Sequence, residues 1–169
     1  MSSASSRPIV RRAILGGRDS PEVGRLVEAY LRQTEREKAA HMLRAAFRDG
    51  DELPVGYRAE AARPDAAYAG AAVYLAELGS SAVGVAVVRS AEGATEIKRL
   101  WAEPAVRGRG VGSSLIDAVL EAHPEPVRLS VWDWRGDAMR LYLSRGFLRV
   151  PSWDERPRLV CMERPVASA

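Results

Sequence analysis

The stretch VRGRGVGSSL, residues 106–115, sets Gly108, Gly110 and Gly112 at alternate positions and brackets them with Arg107 and Arg109. Glycine loses more backbone freedom on folding than any other residue, so three in alternation need a reason. The segment follows a strand-like run, TEIKRLWAEP (residues 95–104), and opens an amphipathic helix. In that helix Val111, Leu115, Ile116, Val119 and Leu120 share one face. A helix N-terminus presents unpaired N–H groups and a partial positive charge, which suit phosphate. Glycines let the backbone approach an anion, and they admit positive φ, so successive amides can turn towards one point. The residues therefore predict a pyrophosphate cradle over Arg107, Gly108, Arg109, Gly110, Val111, Gly112 and Ser113.

Two common phosphate patterns do not fit. A P-loop needs Lys and then Ser or Thr after its last glycine, whereas Gly112 is followed by Ser113 and Ser114. A dinucleotide fingerprint needs G-x-G-x-x-G within a βαβ unit. Here the spacing is G-x-G-x-G, and the preceding strand belongs to a meander.

Outward from the cradle, the chain alternates short strands and helices. Residues 9–14 predict a first strand. A helix follows, with Ser20 at its cap, Pro21 in its first turn, and Val23, Leu26, Val27, Tyr30 and Leu31 at helical spacing. A second helix is expected over residues 37–47, with Ala40, Leu43 and Phe47 on one face, then a loop over 48–66. Residues 67–78 and 82–90 form a hairpin, and 95–104 add a third antiparallel strand. Its irregular alternation fits a central strand covered on both faces. After the cradle helix come a strand at 127–134, a helix at 136–146 that Gly146 ends, and two strands at 147–150 and 159–164. The expected fold class is α/β (α+β): a mixed, mostly antiparallel central sheet flanked by helices.

The 169 residues suit one domain, taken as 8–166 behind a disordered tail at 1–7. No apolar run approaches the ~20 residues that span a bilayer, and the start lacks a signal-peptide core, so a cytoplasmic protein without membrane contact is expected. Cys161 is the only cysteine, and His41 and His123 are the only histidines. These leave no metal-ligating cluster, and no G-x-S-x-G elbow marks a hydrolase. The net charge of +3 is spread along the chain as arginine, without the dense basic face of a nucleic-acid binder.

EIKRLWAEPAVRGRGVGSSLIDAVL resembles the acetyl-CoA-binding segment of the GNAT superfamily of N-acetyltransferases, which reads R/Q-x-x-G-x-G/A after a strand. Downstream, DAMRLYLSRGF is similar to the family's A-x-x-L-Y-x-x-x-G-F run, through Ala138, Leu141, Tyr142, Gly146 and Phe147. The triple glycine alone is weak; joined to the leading arginine, the strand and this second run it is specific. The likeness spans roughly residues 9–166. It implies the acyl-CoA N-acyltransferase fold and transfer of an acetyl group from acetyl-CoA to an amine acceptor in a ternary complex, by a monomer or homodimer.

The resemblance also implies site residues. Acetyl-CoA would lie between residues 95–102 and 127–132, with its pantetheine arm paired to the backbone of Leu100, Trp101 and Ala102. An N–H near Leu100 would polarise the thioester carbonyl. Tyr142 matches the family tyrosine that protonates the leaving thiolate; the other reading of Tyr142 is core packing. Glu96 is the candidate base, against the plainer reading of a carboxylate neutralising Lys98 or Arg99. Arg135 stands where many members carry a coenzyme-contacting Asn, and either reaches the coenzyme or faces solvent. Trp101, Trp132, Trp134 and Trp153 are candidate walls of an acceptor pocket. Asp49, Asp51 and Glu52 are candidates to attract a cationic amine. A coenzyme-binding sensor without turnover is the alternative function.

Overall fold

The computed structural model describes residues 7–166, so the tail expected at 1–7 lies outside the described residues except for Arg7. Seven strands form one sheet: β1 (Ile9–Arg12), β2 (Ala72–Leu78), β3 (Ser81–Ala91), β4 (Ala94–Ala102), β5 (Val127–Trp132), β6 (Leu148–Val150) and β7 (Leu159–Arg164). Their order across the sheet is β1-β2-β3-β4-β5-β7-β6. Only β4 and β5 are parallel; the other neighbours are antiparallel. This is the mixed, mostly antiparallel sheet the sequence predicts. Among the described residues, no helix is long and apolar enough to cross a membrane.

Both faces of the sheet are covered, which explains the weak polar alternation of its strands. Val73, Leu75, Val85, Val87 and Trp101 point to one side, against α1 (Ser20–Ala40), α2 (Val55–Ala62) and α3 (Pro64–Ala67). Their chain neighbours Tyr74, Ala76, Ala86 and Val88 point to the other, against α4 (Val111–Ala122) and α5 (Gly136–Ser144). Two glycines set how closely the layers meet. A Cβ on Gly84 would lie 2.7 Å from Val111 Cγ1, so its absence brings α4 down onto β3. A Cβ on Gly24 would lie 2.5 Å from the Ala61 carbonyl oxygen, so α1 and α2 cross in close contact.

The structure corrects the expected second helix at residues 37–47. α1 runs unbroken to Ala40 and stops in a Schellman turn: Leu43 N–H donates to the Lys38 carbonyl at 2.8 Å and Met42 N–H to that of Ala39 at 3.1 Å. The residue in the left-handed conformation is Met42, at φ 58°, where glycine is the usual signal. The loop expected at 48–66 also contains α2 and most of α3. No residue of α2 is fully buried, so no apolar stripe advertised it. The hairpin's first strand begins at Ala72, because α3 and a turn take up the preceding residues.

One irregularity positions the site. On β3, Val88 faces Ile97 and Val87 faces Arg99, which leaves Lys98 as an extra residue on β4. Such a bulge bends and twists its strand. Just past it, β4 leaves β5.

Candidate active site

β4 and β5 pair only over Thr95–Ile97 and Val127–Leu129. Beyond this, β4 stays on β3 as far as Ala102, while β5 stays on β7 as far as Trp132. Between the parted strands opens a cleft of about 780 Å³. Leu100, Trp101 and Ala102 line it, on a strand edge with no β5 partner there. An unpaired strand edge is a template for an extended amide chain.

At one end of the cleft stands the glycine segment. Pro104–Val106 makes a 3₁₀ turn after β4, and the chain then takes positive φ at Gly108 (77°) and Gly110 (81°). Gly110 is the N-cap of α4, and Ser114 N–H closes the first helical ring onto its carbonyl at 2.9 Å. The amides of Val111, Gly112 and Ser113 precede that ring and have no helical acceptor. A Cβ on Gly108 or Gly110 would meet nothing within 4 Å, so dihedral angle and open space, not crowding, explain these glycines. Arg107 lines the cleft, with its guanidinium 5.5 Å from the Trp101 ring centre. Arg109 is exposed and is not part of the lining.

α5 forms the opposite wall. Tyr142 lines the cleft and packs against Phe147, with ring centres 5.8 Å apart. Burial pushes the Tyr142 phenol above the usual tyrosine range; Tyr30 adds to the shift and Arg135 opposes it. Arg135 lines the cleft and is largely shielded from bulk solvent. Its Nε donates to Glu37 at 2.7 Å, its Nη2 donates to the Thr34 hydroxyl at 2.9 Å, and its guanidinium lies 5.3 Å from the Tyr30 ring centre.

Tyr30, Thr34 and Glu37 fall on one stripe of α1 and line the cleft from the side facing α5. Glu37 also accepts from Trp134 Nε1 at 2.9 Å and Gln33 Nε2 at 3.1 Å. Burial alone would raise the Glu37 pKa, but the Trp134 N–H and the Arg135 charge outweigh it and hold the carboxyl below its usual range. Trp132 and Trp134 stack at 4.8 Å, and His41 covers Trp134 at 4.2 Å. Sequence reasoning missed Thr34 and Glu37. The available signal was a stripe of polar residues in register with Tyr30, and such a stripe reads equally well as a solvated face.

Glu96, the candidate base, is not in the lining. It is 8% exposed, accepts from Lys98 Nζ at 2.9 Å, and lies 3.8 Å from Arg128 Nη2. Trp153 also stands outside the cleft, with Arg128 over its ring at 5.0 Å. The acidic residues after α1 are engaged elsewhere. Asp49 pairs with Arg36, the Asp51 carboxylate accepts the Arg48 N–H, and Glu52 pairs with Arg58.

The model of the acetyltransferase (GNAT) family matches residues 36–147. No curated protein matches the chain by sequence. Among solved structures, the PaiA N-acetyltransferase from Thermoplasma acidophilum in complex with coenzyme A superposes with a TM-score of 0.68 at 14% identity, over 94% of this chain and 98% of its own. The ribosomal-protein-S18-alanine N-acetyltransferase from Escherichia coli gives 0.64 at 16% identity, covering 96% of each chain. A GNAT family acetyltransferase from Elizabethkingia anophelis with acetyl-CoA bound gives 0.59 at 14% identity, over 94% and 98%.

Proposed function

The chain belongs to the acetyltransferase (GNAT) family, and from that premise we propose that it transfers the acetyl group of acetyl-CoA to a primary amine by direct attack within a ternary complex. One observation carries the reading. The open edge of β4, the amide cradle of α4 and the Tyr142 phenol all meet in a single cleft. Cradle and strand edge fit the coenzyme as residue types, because they offer amides and an arginine to phosphates and a ladder to pantetheine amides. When bound, acetyl-CoA supplies an acyl carbon activated by its thioester.

The chain's own residues then have separate tasks. Val111, Gly112 and Ser113 offer N–H groups to the diphosphate, and Arg107 adds charge at the rim. The backbone of Leu100–Ala102 fixes the thioester, and an N–H there stabilises the carbonyl oxygen as it gains charge. Much of the acceleration comes from holding amine and thioester in register. The amine nitrogen forms the new N–C bond, the C–S bond breaks, and sulfur keeps its electron pair. Tyr142, kept neutral by burial, donates a hydrogen bond to the departing sulfur; as its proton moves to sulfur, the proton shed by the amide nitrogen returns to the phenol oxygen through water, so no buried phenolate is left.

Glu37 faces the acceptor and is suited to hold its ammonium form. A carboxylate with a lowered pKa is a poor final base, so the ammonium proton passes on to solvent. Glu96 offsets the charges of Lys98 and Arg128. The test is thiol release from acetyl-CoA across a panel of amines. Tyr142→Phe is expected to lower kcat roughly 100-fold, within the range for loss of a general acid, at unchanged acetyl-CoA affinity. Acetyl-CoA binding with no thiol release from any amine would make the chain a coenzyme-binding module instead.

A further inference from the structure

The acceptor side of the cleft has a charge arrangement that the transfer reaction does not require. Lys98, Arg99 and Arg156 all line the cleft. Each has a carboxylate partner: Glu96 for Lys98, Glu60 for Arg99 and Asp154 for Arg156. None of those carboxylates belongs to the lining. The positive end of each pair therefore faces the cleft, and the negative end stands behind it.

Donors remain unused on these cations. Glu60 takes Nη2 of Arg99 at 3.0 Å and the Lys98 carbonyl takes Nη1 at 3.0 Å, while the buried Nε has no partner. Asp154 takes Nε and Nη2 of Arg156, leaving Nη1 uncommitted among the described residues. The charge of Arg99 also bears unfavourably on Arg156, which Asp154 sustains. An anion between two such guanidinium groups relieves their repulsion and completes their hydrogen bonding.

The aromatic walls favour the same conclusion. An exposed ring attracts an alkylammonium. Here the chain's own cations already occupy the rings: Lys38 lies 5.3 Å from the Tyr57 centre and 5.6 Å from that of Trp132. Arg99 lies 5.8 Å from Tyr57, and Arg156 lies 5.9 Å from Trp132. Asp49, Asp51 and Glu52 are engaged away from the cleft, and of the carboxylates in its lining Glu37 can hold one ammonium while Asp137 pairs with Arg140, so among the described residues a polycation finds no second free anion there.

We propose that the acceptor is an amine that also carries a carboxylate, as an amino acid does, and that the carboxylate seats on Arg99, Arg156 and Lys98 beside Tyr57. This rests on the acetyl-transfer reading above. Glu37 then meets the ammonium end and the three cations meet the carboxylate end, so the cleft is complementary to a zwitterion.

The test compares matched acceptors with the full chain and acetyl-CoA: phenylalanine against phenethylamine, tryptophan against tryptamine, and spermidine as a polycation. Loss of one charge-assisted contact corresponds to roughly tenfold or more in affinity. The carboxylate-bearing members are therefore expected to show at least about tenfold higher kcat/KM than their partners. Arg156→Gln should raise their KM by about tenfold and leave that of phenethylamine and tryptamine within about twofold. Arg156 stands on the segment between β6 and β7 and is more than half exposed, so its replacement leaves the core intact. Equal or better use of the decarboxylated amines or spermidine, with thiol released, overturns this inference and leaves acetyl transfer standing. Acetyl-CoA that fails to bind in calorimetry, or binds without thiol release from any acceptor, overturns both.

Discussion

The wall assigned to the coenzyme and the wall assigned to the acceptor are made of different material. The first is one continuous piece of main chain, from Leu100 through Gly112, and it works through amides and dihedral angles. The second is assembled from side chains on α1, α2, β4, the end of β5 and the segment before β7, and it works through rings and charges. A backbone device demands glycine at fixed spacing and tolerates almost anything at the positions between. A side-chain device leaves the backbone free and is rewritten by single substitutions. One chain can thus keep a fixed coenzyme site while its acceptor site varies, which fits a function argued from the site and not from the fold.

The sharpest attack on the contrast is Gly110→Val. At φ 81° a β-branched residue is strained by roughly 1–3 kcal/mol, and that angle belongs to the N-cap of α4, at the cradle. Acetyl-CoA affinity is expected to fall by roughly 10- to 100-fold in calorimetry. That strain should also lower the thermal midpoint by a few degrees, with no added packing clash, because a Cβ there meets no neighbour. Affinity unchanged within twofold would show that the cradle is not the diphosphate site.

A gentler pair of substitutions addresses the two walls separately. Gly84→Ala drives a Cβ against Val111 and the Trp101 carbonyl, beneath the cradle; Gly24→Ala drives one against the Ala61 carbonyl, beneath α2. Each should cost about 1–3 kcal/mol by overpacking, read as a lowered thermal midpoint. The functional effects should divide. Gly84→Ala is expected to weaken acetyl-CoA binding, whereas Gly24→Ala, by displacing Tyr57, should raise the acceptor KM at unchanged acetyl-CoA affinity. Equal effects of both variants on both ligands would mean that the walls are one coupled unit.

The same contrast explains what was legible in the sequence. The turn ahead of α4 was readable from its glycines because Gly108 and Gly110 take positive φ, which constrains residue type directly. α4 was readable from its apolar stripe, and α5 from the Gly146 that ends it. α2 was not, because it buries no residue completely, and the end of α1 was not, because Met42 takes a conformation that glycine normally announces. Glu96, the candidate base, stands outside the cleft lining beside Lys98 and Arg128, and neither the bulge at Lys98 nor the pairing with Arg128 is encoded in any local pattern. Glu37 meets Arg135 and Trp134 across nearly a hundred residues, and that kind of contact exists only after folding.

The smallest effect expected is in the pH profile, and it bears on which wall sets the rate. Glu37 titrates below the usual carboxylate value of about 4.3, and Tyr142 above the usual phenol value of about 10. Between about pH 6 and 9 both therefore keep one protonation state, Glu37 ionised and Tyr142 neutral. With both of these fixed, the acceptor amine is the group expected to change in this window. The logarithm of kcat/KM is expected to rise with pH and to level off at the acceptor's own amine pKa. The bend should move when an acceptor of lower amine pKa is supplied, and it should stay in place in Tyr142→Phe at a lower rate. A bend fixed at one pH for every acceptor would mean that a residue of the protein takes the ammonium proton. That would return a base to the mechanism, and the acceptor wall would then carry chemistry as well as recognition.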